Sequence, residues 1–287
     1  MTEPSSVAVV TDSTHYLPRE MGTGDGIAQV SLYVGSAGEL ARETDIADLD
    51  GFYARLRDGA DIPTTSQPSV GDFLACYEPL VASGRDVVSI HLAGGLSGTL
   101  AAAVEAAGIL TASGHRGRVE VIDSASGAAG LGLLVLAAAA CARDGADAEA
   151  VAERVRCARE SLGMWFCLDT LEYLRRGGRI GGAQAWLGSA LKIKPILTFG
   201  NEITPVERVR TSRRAFDRLV AYLRELNDTG ATIWAVQHIQ AADSAQRLVA
   251  EGTAILGCPP VFCSEVGPVL GAHLGPGMLG VAGIRAA

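Results

Sequence analysis

The chain has 287 residues, 48% of them hydrophobic and 20% charged, which is ample material for a core and excludes a disordered polymer. Its formal net charge of −8 argues against general binding to nucleic acid or to an anionic membrane surface. The opening MTEPSSVAVV lacks the basic and apolar regions of a signal peptide, and the six cysteines are scattered without a CxxC, so reduced, mostly buried thiols in a cytoplasmic protein are expected. Cys258 and Cys263 flank a Pro-Pro pair but have no histidine nearby, a poor start for a metal site.

In chain order, residues 7–11 (VAVVT) predict a buried strand that ends in a turn or cap at Asp12-Ser13. Residues 86–92 and 118–122 predict two more strands, each followed by a Gly/Ser turn and an Ala-rich helix. Strand, turn and helix repeated in this way imply a parallel sheet with helices packed on it. Ligands of such sheets sit at the carboxyl ends of the strands, so the turns at 12–13, 94–99 and 123–124 should lie close together. The longest apolar run, 127–142, is short for a membrane span and rich in Gly and Ala, which predicts a buried helix.

After about residue 157 the pattern changes. A strand is predicted over 163–168 and a short helix over 170–176. Residues 193–198 and 203–209 predict a strand pair turning at Gly200-Asn201. An amphipathic helix over 211–226 follows, then strands over 233–239 and 261–265 with a helix over 241–256 between them. A last apolar stretch covers 278–284. The expected fold class is α/β in two domains: 1–157, a mostly parallel sheet with flanking helices, and 158–287, an α+β domain.

Ten of the 24 basic residues lie within residues 175–218, opposed there only by Glu202, Glu207 and Asp217. They are Arg175, Arg176, Arg179, Lys192, Lys194, Arg208, Arg210, Arg213, Arg214 and Arg218. Such a region in an acidic chain suits either an acidic partner or phosphate, or a solvated face paired with the acidic remainder.

The stretch SIHLAGGLSGTL at 89–100 has the strand–glycine–helix form that aims backbone N–H groups at an anion. A nucleotide phosphate is disfavoured because the lysine of GxxxxGK[ST] is missing. Residues 95–99 (GLSGT) are one residue from the GxSxG nucleophile elbow, with His273 as a candidate base and Asp123 as an orienting acid. Thr99 replaces the last glycine, however, and the chain order differs from that of the hydrolases. The third option is a held carboxylate. PTTSQPS at 63–69 places four hydroxyls and one amide in a loop stiffened by two prolines, although Ser69 could simply cap a helix. GPVLGAHLGPGMLG at 267–280 adds one histidine among glycines and apolar residues.

Together these motifs resemble the DegV family of bacterial fatty-acid-binding proteins. The likeness rests on VVTDST (9–14), TSQPS (65–69), LSGT (96–99), VIDS (121–124), the Gly-Leu-Gly of 130–132, LEYLRRGGRI (171–180), VRT (209–211) and GAHLGPGMLG (271–280). They fall in order along nearly the whole chain. The resemblance implies a long-chain fatty acid buried in a tunnel between two domains, with no other cofactor. It places the carboxylate near the surface on Thr65 and Ser66 of TSQPS and on Ser97, Gly98 and Thr99 of LSGT, with His273 close by. It also implies a separate ATP-dependent fatty acid kinase subunit, to which the acid is presented for acyl-phosphate formation in phospholipid synthesis. Arg210 in VRT, together with Arg179, would serve that encounter. The chain departs from the family at Ala93-Gly94, where serines are usual. The leading expectation is therefore a non-enzymatic cytoplasmic carrier without stable membrane insertion. Its rivals are an acyl hydrolase built on Ser97 and His273, and a lipid-sensing regulatory module.

Overall fold

The computed structural model describes residues 5–24, 26–36, 39–59, 63–114, 117–187 and 193–286. The fold is α/β. The first half runs β1 (Val7–Asp12), α1 (Arg19–Gly24), β2 (Ile27–Val30), β3 (Tyr33–Ser36), β4 (Glu39–Arg42), α2 (Leu49–Asp58), β5 (Thr64–Ser66), α3 (Val70–Ala82), β6 (Asp86–His91), α4 (Thr99–Ala112), β7 (Val119–Asp123), α5 (Ala128–Arg143) and α6 (Ala148–Glu160). The second half runs β8 (Gly163–Cys167), α7 (Glu172–Arg176), β9 (Lys194–Phe199), β10 (Ile203–Val209), α8 (Ser212–Asp228), β11 (Ala231–His238), α9 (Ala242–Leu256), β12 (Phe262–Glu265), α10 (Pro268–Leu274) and β13 (Leu279–Arg285).

Three sheets result among the described residues. The first is four-stranded and parallel, in the order β2-β1-β6-β7. The second has six strands in the order β10-β9-β8-β13-β11-β12, antiparallel except for the β11–β12 pair. Apolar, Gly/Ala-rich α5 packs against β1 and β6 of the first sheet and against β11 and β13 of the second. It is buried from Ala128 to Val135 without a break, so the predicted buried helix is the layer the two sheets share.

The third sheet, β4-β3-β5, was not anticipated. Its strands are three or four residues long, and β4 is exposed throughout, so no alternation of apolar and polar residues announces it. The stretch expected to be a loop between prolines is in part strand: Thr64–Ser66 pairs antiparallel with β3, with Thr65 opposite Val34. Paired residues share a face of the sheet, and Val34 is buried, so the strand turns Thr65 inward. Ser69 does cap α3, in a full capping box with Asp72. The cysteines depart from expectation as well: Cys167 alone is buried, Cys157 is exposed, and the other four are half-buried.

Asp12 holds the carboxyl ends of β1 and β6 together. Its buried carboxylate accepts from Thr14 N (3.0 Å), Thr14 Oγ1 (2.6 Å), Leu92 N (2.9 Å) and His91 Nδ1 (3.1 Å). The chain of contacts continues through His91 Nε2 to Ser89 Oγ (2.6 Å) and on to the Tyr77 hydroxyl (2.7 Å), all within the core. Burial alone would push the Asp12 carboxyl up, but the hydrogen bonds from His91, Thr14 and Leu92 hold it below the ordinary range. Serine, histidine and aspartate stand here in a hydrolase-like row, but Ser89 is sealed from solvent. The predicted proximity of the three turns is also met: Asp123 accepts from Gly94 N, and Ser124 N donates to His91 O.

A carboxyl with a depressed folded pKa stabilises the fold above its unfolded value and loses that contribution as pH falls. Asp12→Ala would leave several buried donors unpaired, so it should lower the unfolding free energy by about 3–5 kcal/mol in urea titration at neutral pH. A loss under about 1 kcal/mol would contradict the role given to Asp12.

Candidate functional site

A cavity of about 240 Å³ lies where the two halves of the chain meet. Thr65, Ser66, Gln67, Ser97, Arg179 and His273 supply its polar lining. Leu32, Leu92, Phe199, Val269, Leu270 and Leu274 supply most of the rest. Arg179 and Gln67 are exposed, whereas Leu92, Val269, Leu270 and Leu274 are buried, so the polar groups mark the mouth and the hydrocarbon lies within. Among the described residues no acidic side chain lines the cavity, and Arg179 is the one full cation that does.

Thr65 and His273 join strand β5 to the last turn of α10: Thr65 Oγ1 lies 2.8 Å from His273 Nε2. The imidazole is seated by α7, whose end glycine Gly177 lies so close that a Cβ there would fall 2.0 Å from His273 Nδ1. That nitrogen is buried and has no hydrogen-bond partner among the described residues. Burial, and then the positive charge of Arg179, push the imidazole down to about 4, so it is neutral near pH 7. A neutral ring carries one proton. On Nδ1 it would be an orphaned buried donor, so we assign it to Nε2, which then donates to Thr65 Oγ1. The Thr65 hydroxyl proton is thereby free to point at an anion in the cavity.

Ser97 stands on the opposite wall. Its Oγ lies 2.8 Å from Thr99 Oγ1 and accepts from Thr99 N at 3.3 Å, at the start of α4. Thr99 itself is buried behind Ser97 and does not line the cavity. Gly98 does not line it either. A Cβ on Gly98 would fall 2.0 Å from Gln67 Oε1, so this glycine is what lets the TSQPS and LSGT segments meet. Of the predicted residues, the fold thus brings Thr65, Ser66, Ser97 and His273 to one cavity, and it places Gly98 and Thr99 behind them as support.

The two arginines paired in the sequence reading are separated. Arg179 is at the mouth, its guanidinium held by Gly177 O (2.8 Å) and Leu96 O (3.4 Å). Arg210 is exposed at the far end of β10, seven residues beyond the cavity-lining Ile203, or about 23 Å along an extended strand. Within the basic region Arg175 and Arg176 pair with Glu172, Lys194 with Asp169, and Arg218 with Glu207. Arg208, Arg210, Arg213 and Arg214 are exposed and have no ion-pair partner among the described residues. Lys192 lies outside the described residues.

The hydrolase arrangement is not assembled. Ser97 bonds Thr99, His273 bonds Thr65, and Asp123 accepts from Gly94 N and Ala125 N. The departure at Ala93-Gly94 does not touch the cavity: Ala93 is fully buried, and a side chain on Gly94 would meet Leu100 and Asp123.

Two contributors gave no sequence signal. Gln67 was seen only as the one amide among the hydroxyls of its loop. Glu43 anchors the start of α10: it accepts from Val269 N (2.7 Å), Ser13 Oγ (2.5 Å) and Tyr16 OH (2.7 Å), and burial pushes its carboxyl up to about 7. No local pattern marks a glutamate that caps a helix 226 residues away. Among the described residues no helix is long and apolar enough to cross a membrane.

Comparison with known proteins agrees over the whole length. A family model described as uncharacterised proteins of the DegV family matches residues 6–286. A DegV domain-containing protein of Streptomyces coelicolor is 39% identical, covering 96% of this chain and 97% of its own. The solved structure of DegV from Bacillus subtilis, described as a fatty acid binding protein, superposes with a TM-score of 0.87 at 34% identity over 98% of this chain and 100% of its own. A DegV family protein from Thermus thermophilus, described by its fatty acid binding, gives 0.87 at 32% identity over 98% and 99%.

The depressed pKa of His273 has a direct consequence. Between about pH 6.5 and 4 the unfolded chain takes up a proton that the folded chain does not, so the stability this ring supports is lost as pH falls through that window. In an imidazole NMR titration of the ligand-free protein, His273 should remain neutral from pH 8 to about 5.5. A midpoint near 6.5 would contradict the buried, neutral ring.

Proposed function

The chain belongs to the DegV family, and on that basis we propose that it binds a long-chain fatty acid, tail inward and carboxylate at the mouth of this cavity. One observation carries the reading: polarity is confined to one end. Hydroxyls, a neutral imidazole and a single guanidinium converge at the mouth, and the interior beyond them is leucine, valine and phenylalanine. Each buried methylene contributes about 0.8 kcal/mol, so a sixteen-carbon tail provides on the order of 10 kcal/mol before ordering costs. The head group then needs orientation more than affinity. Thr65 and Ser97 supply hydroxyl donors, and Arg179, given to a partner in the sequence reading, supplies the charge. The two halves, residues 1–157 and 158–287, close on the acid between them.

The finer part of the proposal is a carrier that presents the acid to a partner kinase for acyl-phosphate formation. Two features support it. The mouth opens beside a shallow depression lined by Gly94, Gly95, Gly98, Gly178, Gly181 and Glu202, which leaves the carboxylate reachable from outside. The cluster of Arg208, Arg210, Arg213 and Arg214 has no ion-pair partner among the described residues, in a chain of net charge −8. Arg213 and Arg214 even occupy the first turn of α8, where the helix dipole disfavours cations. A local rule broken on the surface fits a docking role.

Fatty-acid titration of the delipidated protein tests this. Thr65→Ala and Ser97→Ala should each weaken palmitate binding about 10- to 100-fold, the range for a hydrogen bond to a charged group. Arg210→Glu should leave palmitate binding unchanged but reduce acyl-phosphate formation with the cognate kinase and ATP. Loss of lipid binding in Arg210→Glu would overturn the division between mouth and docking surface. A burst of product from an activated acyl ester, abolished in Ser97→Ala, would favour the hydrolase instead.

A further inference from the structure

Gly127 lies against the buried wall of the cavity, away from the exposed mouth. It precedes the first turn of α5 in an extended conformation (φ −160°, ψ −178°) that any residue can adopt. A Cβ there would lie 2.8 Å from Leu92 Cδ1, 3.7 Å from Leu270 Cδ1 and 3.9 Å from Phe199 Cε1. All three side chains line the cavity. Position 127 therefore abuts the back of the inner wall, and as glycine it leaves room for Leu92 to pack directly against the backbone.

The backbone around it is fixed. Ser124, Ser126, Ala128 and Ala129 are buried. Ser126 O accepts from Ala93 N (2.8 Å) and from Ser124 Oγ (3.0 Å), and Ser126 N donates to Ser124 Oγ (3.1 Å). Ala125 (φ 48°) and Ala128 (φ 50°) flank the site in the left-handed region, which alanine rarely occupies. Such strain persists only where the surroundings over-determine the backbone. A wall held in this way cannot recede, so the side chain at 127 decides how far Leu92, Leu270 and Phe199 can move aside.

We propose that Gly127 sets the depth of the acyl cavity and with it the length of fatty acid the protein accepts. The proposal rests on the fatty-acid reading above and adds to it a residue that selects by length without contacting the carboxylate. A larger side chain would push the three wall residues into the cavity and exclude the end of a long chain, while a short chain would bind as before. Each methylene excluded costs about fourfold in affinity.

The test is titration of the delipidated full chain with stearate and with laurate, in wild type, Gly127→Val and Thr65→Ala. Gly127→Val should weaken stearate at least tenfold relative to laurate, whereas Thr65→Ala should weaken both acids by the same factor. If Gly127→Val does not fold, Gly127→Ala adds a single methyl group in an allowed conformation and should shift the same ratio by a few-fold. An unchanged stearate-to-laurate ratio in the folded variant overturns the role of Gly127 while leaving the fatty-acid reading intact. Failure of wild type to bind either acid overturns both.

Discussion

The hydrogen bond between Thr65 and His273 is the contact on which the site depends. It joins residues 208 positions apart, one on the short strand β5 and one in the last turn of α10. Each partner is prepared by its own surroundings. Pairing with β3 turns Thr65 inward, and Glu43 and Gly177 fix the two ends of the helix and ring that meet it. Because burial and Arg179 keep the imidazole neutral, the bond has one favoured direction, and the threonine proton is left for the cavity. A permanently charged group in place of this histidine would compete for the head group and carry a larger desolvation cost.

The rest of the fold brings these pieces to one place. Helix α5 can lie between two sheets because it is built from Ala, Gly and Leu, and its N-terminal end reaches the inner wall of the cavity. Asp12 fixes the carboxyl ends of β1 and β6, from which the LSGT segment departs. The mouth and the arginine cluster are then separate by construction. Strand β10 begins at the cavity with Ile203 and ends at Val209, so Arg210 beyond it stands away from the mouth.

Much of this could be read from the sequence. Long apolar strands such as Val7–Asp12 and Ala231–His238 and the amphipathic Ser212–Asp228 are evident because period and composition agree. The region from Ile27 to Ser66 was silent because its strands are short and partly or wholly exposed, and their pairing is decided by tertiary packing. Within the site, motif position led to Thr65, Ser66, Ser97 and His273. It could not distinguish Ser97, which lines the cavity, from Thr99, which supports it from behind. Nor could it separate Arg179 from Arg210, since both are arginines in one basic stretch and only the turn after α7 brings the first to the mouth. Buried carboxylates such as Glu43 act through partners too distant in the chain for any local pattern to reveal.

The central claim is that this cavity holds a fatty acid by its tail and orients it by its head. Native mass spectrometry of the protein purified from its host, without added lipid, tests it most directly. The account predicts a bound species in the long-chain fatty-acid mass range, retained in wild type and depleted in a variant lacking both the Thr65 and Ser97 hydroxyls. A wild-type protein that carries no such mass, and that takes none up when long-chain fatty acid is supplied, would contradict it.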